Sequence, residues 1–178
     1  MKKRLLLVVV SLVVFCLPAF SAGDFGVSLS FDFLGLTEVL GVDFDMNSGF
    51  TLGLSYAPFL NEYENIRLGF GASIWLPRND EDGDSFSALA VYVATQVYPR
   101  LLPNAIGGLY SKMNLGFNTL IASDVDDLEG GLYAAWGIGW EFKNGLFLEW
   151  LYNRYYWKIN GASVVMSDNI SFTLGYRF

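Results

Sequence analysis

Asn169-Ile170-Ser171-Phe172-Thr173-Leu174-Gly175-Tyr176-Arg177-Phe178 alternates large apolar residues with small or polar ones up to its final Phe. Successive side chains of a strand point to opposite sides. Ile170, Phe172, Leu174, Tyr176 and Phe178 therefore share one oily face, and Ser171, Thr173, Gly175 and Arg177 share the other. A helix would instead repeat its apolar residues at three- and four-residue intervals.

The same period of two recurs upstream. It runs through 25–33, 40–46, 50–56, 66–74, 89–97, 109–118, 132–142 and 146–152. Turn signals separate these stretches: Asn47-Ser48-Gly49, Pro58, Pro77, Pro99 and Lys143-Asn144-Gly145. Asn and Gly tolerate positive φ, and Pro has no N–H for a ladder. Beyond the N-terminal segment no helical period is sustained, so the chain reads as an all-β barrel or sandwich.

Bulk properties narrow this further. A length of 178 residues suits one domain. The composition is 53% hydrophobic and 17% aromatic. Yet past the N-terminus no run reaches the ~18–20 apolar residues of a membrane helix. The net charge of -7 argues against nucleic acid as a partner, because phosphates call for a basic surface.

Residues 1–21 read as a secretory signal peptide and 22–178 as the mature domain. Lys2, Lys3 and Arg4 precede an apolar core from Leu5 to Leu17, Pro18 breaks it, and Ala19-Phe20-Ser21 offers small residues for cleavage after Ser21 or Ala22. The single cysteine, Cys16, falls inside this leader, and bulky Phe15 before it disfavours a lipid-modified cysteine. The mature chain then needs no disulfide, although export leads to a compartment that permits them.

The closing stretch resembles the C-terminal strand of bacterial outer-membrane β-barrels, which their assembly machinery reads as an insertion signal. The matching features are Tyr176 and Phe178 as the last two aromatics and polar Ser171 seven places before the end. Thr173 departs from the pattern, which often has Gly there, and the Gly of this sequence is Gly175. The resemblance implies an assembly signal made by Phe172, Leu174, Tyr176 and Phe178. It also implies two partners, outer-membrane lipid and the barrel-assembly machinery. In layout the whole mature chain is similar to small outer-membrane barrels of the OmpX-like and OmpW-like group. The expected fold is an antiparallel up-and-down transmembrane β-barrel of eight strands in the bacterial outer membrane.

Alternation alone does not say which face is inside. The polar face is rich in Gly, Ala and Ser, with scattered Arg67, Lys112, Glu141, Glu149 and Arg177, and only 16% of the chain is charged. A water-facing sheet would carry more Lys and Glu, whereas small residues beside a few large polar ones suit a narrow filled interior. Those five charged residues are expected to form a paired interior network, since a lone buried charge is costly. Tyr98, Trp140, Phe142, Tyr176 and Phe178 are expected at one membrane rim, and Phe86, Tyr155, Tyr156 and Trp157 at the other. With Phe178 at the periplasmic rim, connections 77–85, 120–130 and 159–168 fall outside, and 58–65, 99–105 and 143–145 fall inside. Long outer loops and tight inner turns are the asymmetry of such barrels.

The alternating stretches number nine, whereas bacterial barrels have an even count. We take 25–33 as the first strand and 34–48 as an outer loop with strand character. The alternatives are a first strand at 39–46, or ten strands.

Chemistry is sparse. Histidine is absent, so a Ser-His pair cannot operate, and the enzymes known in this architecture use one. No catalytic, cofactor or metal site is expected. Asn79 to Asp84, within the acidic loop 78–85, and Asp124, Asp126, Asp127 and Glu129, within 122–130, are acidic. The first lacks the distant Glu of a calcium loop, and zinc sites need Cys or His. Gly69-Phe70-Gly71 and Gly137-Ile138-Gly139 sit within strands, where no helix follows to make a nucleotide site. The expected function is a small integral outer-membrane barrel with a structural, surface-interaction or envelope-maintenance role. Alternatives are a narrow channel for small hydrophobic or cationic solutes and a soluble periplasmic lipocalin-like ligand binder. The facing of Phe70, Leu115 and Ile138 separates the membrane barrels from the soluble one.

Overall fold

The computed structural model describes residues 24–39, 42–60, 65–79, 85–99, 108–123, 128–159 and 163–178. The expected leader, Cys16 and the cores of both acidic loops, 80–84 and 124–127, lie outside them. None of the described residues is helical.

Eight strands form the wall: β1 (Phe25–Val39), β2 (Gly49–Tyr56), β3 (Ile66–Trp75), β4 (Ser85–Val97), β5 (Gly108–Ser123), β6 (Gly131–Glu141), β7 (Leu146–Ile159) and β8 (Ser163–Arg177). Each pairs antiparallel with the next, and β8 pairs back onto β1, so the sheet closes on itself. Closure leaves the wall no unpaired edge, the condition for strands to cross a bilayer. At the seam Gly26 lies opposite Arg177, and the Phe178 N–H donates to the Phe25 carbonyl at 2.8 Å.

The first strand begins at Phe25, and it runs six residues beyond Phe33, to Val39, after a register shift between Phe33 and Leu36. Val42–Met46 folds back on that extension and pairs with β1. The extra alternating stretch of the sequence is therefore a hairpin on the first strand. Two expected loops are also shorter than the alternation suggested. β8 starts at Ser163 and pairs with β7 as far as Ile159, and Leu128–Glu129 pairs with Lys158 and Ile159. There both faces carry polar residues, so the apolar contrast fades while the ladder continues.

Lys143-Asn144-Gly145 makes the tight turn between β6 and β7. Gly145 has φ +87°, a conformation that glycine adopts without steric cost, and its N–H donates to the Phe142 carbonyl at 3.0 Å.

The facing is unambiguous. Phe70, Leu115 and Ile138 are 60%, 52% and 58% exposed on the outer wall. Residues of the opposite parity, among them Ala94, Asn114, Ala135 and Thr173, are buried inside. A soluble barrel closing its oily face around a ligand is therefore overturned, because the oily face is the outside.

Glycines set the interior packing. Tyr92 stands opposite Gly71, Tyr110 opposite Gly139 and Phe147 opposite Gly175. In each pair the ring lies where a side chain on the glycine would stand. The aromatic fills the lumen because its cross-strand neighbour has no side chain.

Candidate functional site

The lumen is built from inward side chains in three levels. At the level nearest Phe178, Glu141 is shared by two arginines. Arg177 Nη1 lies 2.5 Å from its Oε2, and Arg67 Nη2 lies 3.3 Å from its Oε1. Tyr98 donates to Glu141 Oε2 at 2.6 Å, and Arg177 Nη2 donates to Gln96 Oε1 at 3.2 Å. Arg67 also reaches the Ala57 carbonyl at 3.1 Å and Asp24 at 3.6 Å, with its guanidinium over the Phe59 ring.

In the middle, Lys112 Nζ lies 2.8 Å from each oxygen of Glu149, and the Tyr110 hydroxyl donates to Oε1 at 2.7 Å. Beside it, Asn153 Nδ2 donates to Asn169 Oδ1 at 2.8 Å and to Ser171 Oγ at 3.0 Å. Toward the other end, Arg78 pairs with Asp32. Thr51 Oγ1 donates to the same carboxylate at 2.6 Å. At the same level an aromatic cluster crosses the lumen, with the Arg78 guanidinium 4.4 Å from the Trp75 ring centroid. Trp75 and Tyr155 have ring centroids 4.3 Å apart, Tyr133 and Tyr155 4.8 Å apart, and Trp75 Nε1 donates to the Tyr155 hydroxyl at 3.0 Å.

All five charged residues expected in the lumen lie within it or at its rim, and each has an oppositely charged neighbour. Arg78, Asp32 and Asp24 were not anticipated as members. Asp32 carried a signal, being the one charged residue on the polar face of 25–33. Arg78 opens the stretch 78–85, which has the composition of an acidic loop, yet it is buried. Among the described residues the ion-paired lumen thus has four cations, Arg67, Arg78, Lys112 and Arg177, facing four carboxylates, Asp24, Asp32, Glu141 and Glu149.

Three of the aromatics expected at the rims are inside instead. Tyr155 and Trp157 are 3% exposed in the cross-lumen cluster, and Tyr98 belongs to the Glu141 cluster. Trp140, Phe142, Tyr156, Tyr176 and Phe178 have outward parity, while the side chain of Phe86 lies outside the described residues. Of the final strand, Phe172, Leu174, Tyr176 and Phe178 face outward at 42–49% exposure.

Among the described residues, the lumen holds a cavity of about 30 Å³, lined by Asp32, Thr51, Lys112, Asn114, Glu149 and Thr173 among others. That is room for about one water molecule. Among the described residues no cluster of His, Cys, Asp and Glu could hold a metal ion.

A closed wall with an oily exterior and an ion-paired interior suits a bilayer. The outer membrane protein beta-barrel domain model matches residues 7–178. The chain belongs to this family of outer-membrane β-barrels. It is an integral protein of the bacterial outer membrane, and its outward belt is the surface that meets membrane lipid.

Solved structures of similar fold agree with that membership. Neisserial surface protein A superposes with a TM-score of 0.61 at 13% identity, covering 88% of this chain and 98% of that one. OprG from Pseudomonas aeruginosa gives 0.57 at 14% identity, covering 88% and 96%. Ail, the attachment invasion locus protein of Yersinia pestis, gives 0.53 at 17%, covering 89% and 100%. No curated protein matches the chain in sequence. At these identities the outer-membrane barrels share a fold with this chain, and its side chains must be read on their own.

Proposed function

We propose that this outer-membrane barrel is a closed, non-enzymatic membrane anchor with a structural or surface-interaction role, carrying the connections opposite Phe178 on the cell surface. The observation that carries the reading is the filled lumen. The Glu141 cluster, the Lys112–Glu149 pair and the Trp75–Tyr155–Tyr133 cluster lie one above another, and the cavity among the described residues between them is about 30 Å³. An eight-stranded barrel has a lumen just wide enough for its own side chains. Solute passage would require several buried ion pairs to part together.

The non-enzymatic reading rests on the absence of histidine and on the engagement of the interior carboxylates by Arg and Lys. The rim bearing Phe178 and the tight 143–145 turn is placed at the periplasm, following the resemblance of the closing strand to the C-terminal strand of outer-membrane barrels. The final strand, through Phe172, Leu174, Tyr176 and Phe178, is the segment offered to the barrel-assembly machinery, and a leader over 1–21 directs export.

Planar-bilayer recording of the purified, refolded protein tests the reading. No unitary conductance above the bare bilayer is expected for the parent. Stable single-channel steps would replace the anchor by the narrow-channel function.

A further inference from the structure

The outward belt is not uniformly convex. One cross-strand row climbs it from Phe25 and Tyr56 through Phe70 and Val93 to Leu115. The row above it passes through Ala72 and Val91 to Phe117. At Ala72 side-chain bulk falls away, while Phe70 and Phe117 stand out at 60% and 64% exposure. Gly71 and Gly116 contribute only backbone to the floor. The result is a groove of about 490 Å³ on the outer wall, within the range of roughly 300–1,000 Å³ typical of ligand sites.

Its lining is aliphatic and aromatic except for Ser55 and tyrosine hydroxyls, and Ser55 and Tyr92 belong to the inward parity. Nothing in it would hold a headgroup. The groove is continuous with the belt that meets lipid, so hydrocarbon is what reaches it. Burial from water drives nothing between two apolar surfaces within a bilayer, and selective retention there must come from close contact. A concavity left unfilled forfeits dispersion contacts along its whole lining. A flexible acyl chain can follow the groove. A second copy of this barrel would present a convex wall of the same kind, and a two-fold interface needs a knob matched to this hole.

The groove also has a low end and a high end. Phe25 and Tyr56 lie at the rim shared with Phe178, and Phe117 lies nine residues into β5. We propose that the groove holds one acyl chain of an inner-leaflet phospholipid, bound in place rather than exchanging freely. The leaflet rests on the orientation given under Proposed function, whereas the acyl chain does not.

The test uses the full-length protein in vesicles of phosphatidylethanolamine bearing a diazirine on one acyl chain. Photolysis and peptide mapping should concentrate cross-links on the segments around Phe70, Val91 and Leu115, above those around the equally exposed Ile138 and Leu174. Ala72→Phe, which fills the groove, should lose that excess. Even labelling around the belt, an excess unchanged in Ala72→Phe, or cross-linked dimers in its place would overturn the proposal. If Ala72→Phe fails to insert, Val93→Phe fills the same groove and is read identically. Mass analysis of lipid retained by protein extracted from outer membranes separates the leaflets. A phospholipid adduct is expected, and a lipopolysaccharide adduct would overturn the leaflet and the orientation while leaving the closed lumen standing.

Discussion

Lys112 Nζ lies 2.8 Å from both carboxylate oxygens of Glu149, joining β5 to β7 across the lumen with both side chains buried. Taking two charges out of water is expensive, and their attraction offsets that cost only while both are present. Lys112→Met leaves Glu149 with the Tyr110 hydroxyl and no cation, and should destabilise the barrel by about 3–5 kcal/mol. Lys112→Met combined with Glu149→Leu should recover much of the loss. Urea unfolding in detergent micelles reads both, and a single variant as stable as the parent would count against the paired lumen.

Tyr110 packs on Gly139, its partner across the ladder, so the glycine and the Glu149 contact depend on one ring position. Gly139→Val forces that ring to move, and overpacking of this kind costs about 1–3 kcal/mol. Adding Tyr110→Ala should relieve the overlap, making the double variant less unstable than the two single losses summed. Strict additivity in unfolding free energy would show that the ring does not depend on that glycine.

Much of this architecture was legible because a membrane barrel writes its two environments into alternate residues. Phe70, Leu115 and Ile138 have small or polar neighbours, and their outward facing follows from that contrast. The contrast fails where the lumen itself is aromatic. Phe147, Leu151, Tyr155 and Trp157 are inward on β7, but Leu148, Trp150, Tyr152 and Tyr156 on the other face are equally large. Parity counted from Glu149 would have put Tyr155 and Trp157 inside. The Arg78–Asp32 pair was beyond reach for another reason. It joins residues 46 apart in sequence, Asp32 on β1 and Arg78 in the short segment Arg78–Asn79 that pairs with β4, so it depends on barrel closure and register.

That missed pair makes its own prediction. Arg78, Asp32 and Thr51 share one set of hydrogen bonds. Residues in one such network show coupling of roughly 0.5–3 kcal/mol. A double-mutant cycle of Arg78→Met and Asp32→Asn should give a coupling in this range. A coupling of zero within error would remove Arg78 from the network.

Tyr176 and Phe178 face outward at the rim, with ring centroids 5.1 Å apart. Changing both to Asn should lower the amount of protein in the outer membrane and raise the amount degraded or held in the periplasm. Leu148→Asn places a polar group on the same outer wall and separates loss of belt hydrophobicity from loss of the signal. Equal outer-membrane levels of the double variant and the parent would remove the signal role from these residues.

Tryptophan fluorescence in vesicles with brominated acyl chains tests most directly which face of the wall meets lipid. Trp150 is 52% exposed on the belt and Trp75 is 1% exposed in the lumen. Two single-tryptophan variants, each with the other tryptophans changed to Phe, isolate the two signals. Strong quenching of Trp150 with little quenching of Trp75 is the predicted result. Quenching of Trp75 as strong as that of Trp150 would contradict a sealed barrel with its oily face in the membrane.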